Sequence, residues 1–279
     1  QAEDSQARMT RNKFAALESD SSDADHEQQE KHLSCYDDVR ILRNRSEVPQ
    51  QKLEDEGSED DFVLSVIHGA GSRRVVDAKT VRYDYYAVVD FECTCERNNK
   101  GFLHEIIEFP VVFLNARTFQ IDFEFHRFVR PTEQPRLSTF CTNLTGIEQG
   151  TVDIANTLEE VLYEFHDFLL EHNFVCSRRD RGIGSPLFAI CTDGTYDVRR
   201  FLRPECSRKR LHLEPYWSRY VDVKQRFADA LHIQKCDIPS MLAKQNKEFE
   251  GRQHSGLDDA RNIARIVAEL LREGHKLVP

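Results

Sequence analysis

The sequence predicts an α/β domain over residues 81–279, with a mixed five-stranded sheet flanked by helices. Three observations carry this. From about residue 82, three apolar strand-like runs follow one another over short links, the pattern of an antiparallel meander. Further strand-like runs then alternate with helical ones, as α/β domains require. The helical segments carry start signals, the clearest being Thr157-x-x-Glu160.

The first run, Tyr85 to Cys93, begins apolar and ends in two carboxylates, Asp90 and Glu92. Strand side chains alternate faces, so these two acids point one way while Val89 and Phe91 point the other. Carboxylates sharing a face repel unless a cation lies between them, and hard divalent ions take oxygen ligands. The alternative is a surface strand with two solvated acids, which the preceding Ala87-Val88-Val89 disfavours. A polar turn, Arg97 to Gly101, leads to the second and third runs, Ile106 to Leu114 and Phe123 to Val129, closed by Arg130-Pro131. A short helix is expected from Ser138 to Leu144, ended by Thr145-Gly146.

The helix opened by Thr157 runs to about Asn173, with Leu158, Val161, Leu162, Phe165, Phe168 and Leu169 as its core face. Leu187 to Thr192 is a fourth strand, followed by the Asp193-Gly194 turn and a short helix containing Asp197 to Leu202. Tyr220 to Val223 is a fifth strand, Pro239 begins another helix, and Leu257 to Glu273 is the last.

The chain is acidic, with a net charge of −10, but the charge is uneven. Residues 1–61 hold 17 Asp/Glu against 8 Lys/Arg, a net of −9, whereas the remainder has 31 against 30. The acidity therefore does not exclude nucleic acid as a partner of the domain. Residues 1–80, polar and poor in aromatics, have the composition of a disordered leader and linker. The eight cysteines are scattered, and Cys93-x-Cys95 lacks the spacing of a zinc site. With neither a secretory leader nor a long apolar run, the expected setting is reducing and intracellular, cytoplasm or nucleus (nucleolus included), with no membrane.

Two further acidic positions stand out. Asp193 is explained as a turn former before Gly194. Asp197 follows a strand, where open α/β sheets place ligands, although an acid there also suits the helix N-terminal dipole. On the last helix, Leu257, Ala260, Ile263, Ala264, Val267, Leu270 and Leu271 share one face. Asp258 falls opposite, toward water, and Asp259 on the border of the apolar stripe. His254 stands five residues before Asp259.

Asp-x-Glu on a first strand, Asp after a fourth, and His-x-x-x-x-Asp opening a late helix together resemble the DEDDh 3′→5′ exonucleases. The words Asp90-Phe91-Glu92-Cys93-Thr94-Cys95, Glu105-Ile106-Ile107-Glu108-Phe109-Pro110, Phe128-Val129-Arg130-Pro131 and Leu137 to Ile147 are similar to the enhancer-of-RNAi branch. That branch includes the histone-mRNA 3′ exoribonuclease. Gly251 to Ala264 matches it as well, and the likeness spans about residues 84–278. The branch usually has Trp before its third acid; here the ring is Tyr196. Some relatives carry an RNA-gripping SAP module upstream, and residues 1–80 show no version of it.

The resemblance implies a ribonuclease-H-like fold and 3′→5′ hydrolysis of RNA, releasing nucleoside 5′-monophosphates, in small-RNA turnover, histone mRNA decay or rRNA 3′-end processing. It implies two Mg²⁺ ions, with Mn²⁺ as a substitute, about 4 Å apart to serve the attacking and leaving oxygens. Asp90 would bridge both ions, Glu92 and Asp259 would complete one site, and Asp197 would support the other. His254 would be the general base. Phe140, Leu144 and Tyr196 would frame the terminal base, with ordinary core packing as their alternative. Arg178, Arg179, Arg181, Arg199, Arg200, Arg203, Arg208, Lys209 and Arg210 are expected to follow the RNA backbone or simply to face solvent. The partner is RNA with a free 3′ end, and the acidic leader suggests a protein-docking arm. The alternatives are a DNA-preferring 3′→5′ exonuclease and a non-catalytic RNA-binding or scaffolding protein. The second is disfavoured because all five catalytic-type residues are present.

Overall fold

Alternation along the central strands decides which face of the sheet each side chain serves. The computed structural model describes residues 82–98, 100–175 and 187–279. The expected leader, residues 1–80, and Arg178, Arg179 and Arg181 lie outside the described residues. The strands are β1 (Tyr85–Val89), β2 (Glu92–Cys93), β3 (Ile106–Asn115), β4 (Ile121–Phe128), β5 (Phe188–Thr192) and β6 (Tyr220–Asp222). β3 pairs antiparallel with β1 on one side and β4 on the other, the expected meander. β5 runs parallel to β1, and β6 parallel to β5, so the sheet is mixed.

β1 and β2 are two segments of one line. Val89 pairs with Val111 and Glu92 with Glu108, which sets Pro110 opposite Asp90. Proline brings no N–H to a ladder, and at the same place the Phe91 N–H donates to Asp197 Oδ1 at 2.9 Å. The single strand expected to run through Glu92 is thus broken at Asp90–Phe91, so five expected strands appear as six segments.

The helices are α1 (Thr139–Thr145), α2 (Gln149–Asp153), α3 (Leu158–Glu171), α4 (Arg203–Lys209), α5 (Val223–Leu231), α6 (Ile238–Lys244) and α7 (Gly256–Arg272). α3 begins with the predicted capping box of Thr157 and Glu160. α5 has no separate sequence signal, because its cap, Asp222, is also the last residue of β6 and accepts the Gln225 N–H at 2.8 Å. On one face of the sheet, Ala87, Val89, Phe109, Val111 and Phe113 pack with Val161, Phe165 and Leu169 of α3 and with Trp217. On the other, Tyr86, Val88, Val112 and Leu114 pack with α7, Phe227 of α5 and Met241 and Leu242 of α6. Asp90 and Glu92 have the parity of Tyr86 and Val88, so they turn toward the α7 layer.

The helix expected around Asp197 to Leu202 is a π-helical turn, Asp197–Leu202, that continues into α4. This corrects the basic run at 208–210. Successive helical residues point about 100° apart, and Lys209 turns inward, where its Nζ donates to Glu105 Oε1 at 2.6 Å and Glu205 Oε1 at 2.7 Å. Arg208 is taken up by Glu133 Oε2 at 2.7 Å and the His104 carbonyl at 3.0 Å. Arg203 caps the Trp217 and Ser218 carbonyls, while Arg199, Arg200 and Arg210 are exposed.

Burial works to raise the Glu105 carboxyl, but Lys209 and the Glu133, Thr132 and Gln134 N–H groups outweigh it and hold its pKa below the usual value. Burial leaves Glu205 above its usual value despite Lys209. Lys209→Met strands these two buried carboxylates, and a loss of roughly 3 kcal/mol is expected in urea unfolding at pH 8. The gap to wild type should narrow toward pH 5, as the stranded acids, their pKa values raised, take up protons.

Candidate active site

The cluster is assembled where β1 breaks. Asp90 and Glu92 reach it from the strand line, and Asp259 reaches it from the first turn of α7. Each offers an oxygen, and the three oxygens lie within 4.8 Å of one another. All three residues are buried, with 2%, 1% and 5% of their surface exposed. Asp197, also buried, is outside that triplet, and its carboxylate holds the N–H of the residue after Asp90. Of the adjacent acids on α7, Asp259 is the inward one. Asp258 stays half-buried, accepting the Arg252 N–H at 2.9 Å and facing Arg261 at 3.5 Å.

Like charges confined out of water raise each other's cost, so three such oxygens suit a hard cation. An all-carboxylate donor set matches Mg²⁺ or Mn²⁺ better than the softer metals that prefer thiolate or imidazole. The nearby ammonium is Lys224, at the start of α5, which the sequence pattern does not mark. It pairs with Asp193 at 2.6 Å, and its backbone N–H donates to the Asp193 carbonyl at 2.9 Å. Burial disfavours the Lys224 charge, but Asp193, with Asp90 and Asp197 behind it, holds its pKa above the ordinary lysine value. Asp193 is therefore a buried ion-pair partner as well as a turn residue.

His254 lies in the loop ahead of α7, half-buried, with a left-handed backbone at φ 63°. That loop is tied to α1 by Arg252, a second residue without a sequence-level role. Its guanidinium donates to the carbonyls of Thr145, Leu144 (3.1 Å) and Asn143 (3.3 Å), the C-terminal end of α1. Gly146 takes a left-handed backbone at φ 74°, which favours glycine, and the guanidinium lies where a Cβ would be. The other end of α1 is tied to the strand line: Ser138 Oγ donates to the Cys95 carbonyl at 2.8 Å. Phe140 and Leu144, both half-buried, ride on this helix, with the Arg97 guanidinium 5.7 Å from the Phe140 ring centre. Tyr196, also half-buried, directly precedes Asp197. Cys93 and Cys95 pack against the core.

The family model described as Exonuclease (RNase_T) matches residues 87–267, a span that takes in Asp90, Glu92, Asp197, Asp259 and His254. The chain belongs to the DEDDh exonuclease family. A solved relative, the nuclease domain of 3′hExo, a DEDDh family member bound to rAMP, superposes with a TM-score of 0.66 at 36% identity, over 71% of this chain and 97% of that one. Human 3′-5′ exoribonuclease 1 is 37% identical over 70% of this chain and 54% of its own length. The 3′-5′ exonuclease Snipper of Drosophila melanogaster is 32% identical over 88% of this chain and 90% of its own length. The chain thus spans about half the length of the human relative. The mixed sheet with flanking helices is the ribonuclease-H-like fold that the sequence words imply. Among the described residues, no helix of this exonuclease domain is long and apolar enough to cross a membrane.

Asp90→Asn removes one of the mutually repelling charges and is expected to raise the melting temperature of the EDTA-treated protein. Mn²⁺ should stabilise the wild type, by about 2.7 kcal/mol at 100 times its Kd, and leave the variant unshifted. Scanning fluorimetry in EDTA and in Mn²⁺ reads both. A variant melting below wild type in EDTA would mean that hydrogen bonds outweigh repulsion at Asp90.

Proposed function

We propose that this exonuclease domain hydrolyses RNA from its 3′ end, one nucleotide at a time, releasing nucleoside 5′-monophosphates. The convergence of Asp90, Glu92 and Asp259 within 4.8 Å supports the reading most directly. The names of the relatives, exoribonuclease and exonuclease, and the rAMP held by the similar nuclease domain point the same way.

Asp90, Glu92 and Asp259 would hold a divalent cation, Mg²⁺ or Mn²⁺, with Asp197 serving a second from the Phe91 side. When bound, such ions stabilise charge on the attacking and leaving oxygens of a phosphodiester. The remaining work falls to the chain. His254 takes the proton from the attacking water, a task suited to an imidazole titrating near neutrality. Phe140, Leu144 and Tyr196 receive the terminal base, where flat rings stack on any base face. Contact with the terminal 2′-hydroxyl gives the preference for RNA. Arg199, Arg200 and Arg210, exposed beside the π-helical turn and α4, are available to the backbone phosphates. The acidic segment of residues 1–60 serves as a protein-docking arm.

A DNA-preferring activity is the second reading, left open by the fly relative, which is named an exonuclease without a specified sugar. A 5′-labelled single-stranded RNA in Mg²⁺ is expected to shorten in single-nucleotide steps, and a matched DNA more slowly. Asp90→Asn should leave it intact, and His254→Ala should slow trimming by about 10²–10⁴-fold. A 3′-phosphate should block it, and removal of residues 1–60 should leave the rate unchanged. Full activity in both point variants would reject the assignment; faster loss of DNA would select the second reading.

A further inference from the structure

The word Glu105-Ile106-Ile107-Glu108-Phe109-Pro110 contains a second glutamate that the mechanism does not use. Glu108 lies on β3, and its side chain is 4% exposed. Its Oε2 accepts the Gly256 N–H at 3.0 Å and its Oε1 accepts the Leu257 N–H at 3.3 Å. Oε1 also lies 2.9 Å from His126 Nε2 on β4.

Gly256 and Leu257 open α7, and the first N–H groups of a helix have no partner within it. A side chain at the N-cap usually satisfies one of them. Here Ser255 occupies that position and makes no side-chain cap bond. A carboxylate from a distant strand does that work, and its negative charge suits the positive end of the helix dipole.

Position 256 then fixes how close the helix comes. A Cβ on Gly256 would overlap the carbonyl oxygen of Asp90 and would stand 3.2 Å from both Glu108 Oε2 and Pro110 Cγ. The first turn of α7 is therefore seated directly on the strand break, against the Asp90 carbonyl, Glu108 and Pro110. Asp259 belongs to that turn, its N–H donating to the Ser255 carbonyl at 2.8 Å, and His254 stands two residues before Gly256.

We infer that Glu108 is a positioning residue for the cation site: by capping α7 from β3 it sets Asp259, and with it the His254 loop, against Asp90 and Glu92. The inference rests on the metal-dependent reading above. Glu108→Gln keeps the volume and one acceptor oxygen, but sets an N–H₂ donor against a helix N–H and removes the charge. Gly256→Ala perturbs the same seat from the other side, by pushing the helix off the Asp90 carbonyl.

The experiment is isothermal titration of the full chain with Mn²⁺, without RNA, for wild type and both variants. Unfolding in EDTA establishes that each variant is folded. Each variant is expected to bind Mn²⁺ about tenfold more weakly or worse, the range seen when groups that orient metal ligands are removed. Saturating Mn²⁺ should then restore part of the trimming rate, because every ligand is still present. Folded variants that bind as tightly as wild type would overturn the inference and leave the functional reading standing. A wild type that binds no Mn²⁺ would overturn the metal-dependent reading and the inference together.

Discussion

The repulsion among three buried carboxylates is the constraint around which the rest of this domain is arranged. Two ionised acids separated by about 5 Å repel by about 3 kcal/mol at an effective dielectric of about 20. Acids carried on loops would relieve that by moving apart. Here each is held by a neighbouring element: Asp90 at the break between β1 and β2, Glu92 on β2, Asp259 on the first turn of α7. The break in β1 belongs to the same arrangement. Pro110 leaves the ladder short of a donor opposite Asp90, and at the same break the Phe91 N–H donates to Asp197, which brings the fourth acid to the strand.

Two clusters show how differently the fold treats buried acids. Glu105 and Glu205 share the ammonium of Lys209 at 2.6 and 2.7 Å, so their charge is answered from within the chain and the pair fastens α4 to β3. At the strand break the nearby lysine, Lys224, pairs with Asp193 at 2.6 Å, while the oxygens of Asp90, Glu92 and Asp259 lie within 4.8 Å of one another. A cluster answered internally is structural. One that gathers three carboxylate oxygens at a single point suits a hard cation.

Much of this was legible in the sequence because it follows from periodicity. Alternation put Asp90 and Glu92 on one face, and the helical period separated Asp259 from Asp258. The capping box located α3, and the meander followed from three runs with short links. What escaped depends on contacts between distant segments. Lys209 sits within a basic run yet turns inward, because a helix rotates each neighbour to a new direction. Asp193 looked complete as a turn residue, and its ion pair with Lys224 becomes visible only when β5 and α5 are side by side. Glu108 and Arg252 act on segments more than a hundred residues away, where no local pattern reports them. α5 was hidden because strand and helix share Asp222.

Those long-range contacts form a closed circuit around the cluster. The strand line leads through the Cys95 carbonyl and Ser138 into α1. α1 leads through its C-terminal carbonyls and Arg252 into the His254 loop. The loop enters α7, whose first turn is seated on the Asp90 carbonyl and capped by Glu108 from the strand that pairs with both β1 and β2. Each link is a backbone group held by a side chain from elsewhere, so the helix bearing Phe140 and Leu144 and the loop bearing His254 have little freedom to move independently. That suits the hydrolysis proposed above, in which the group that would take up the terminal nucleotide and the group that would remove the proton must keep a fixed distance, because a misplacement of about 1 Å is enough to slow such chemistry a hundredfold.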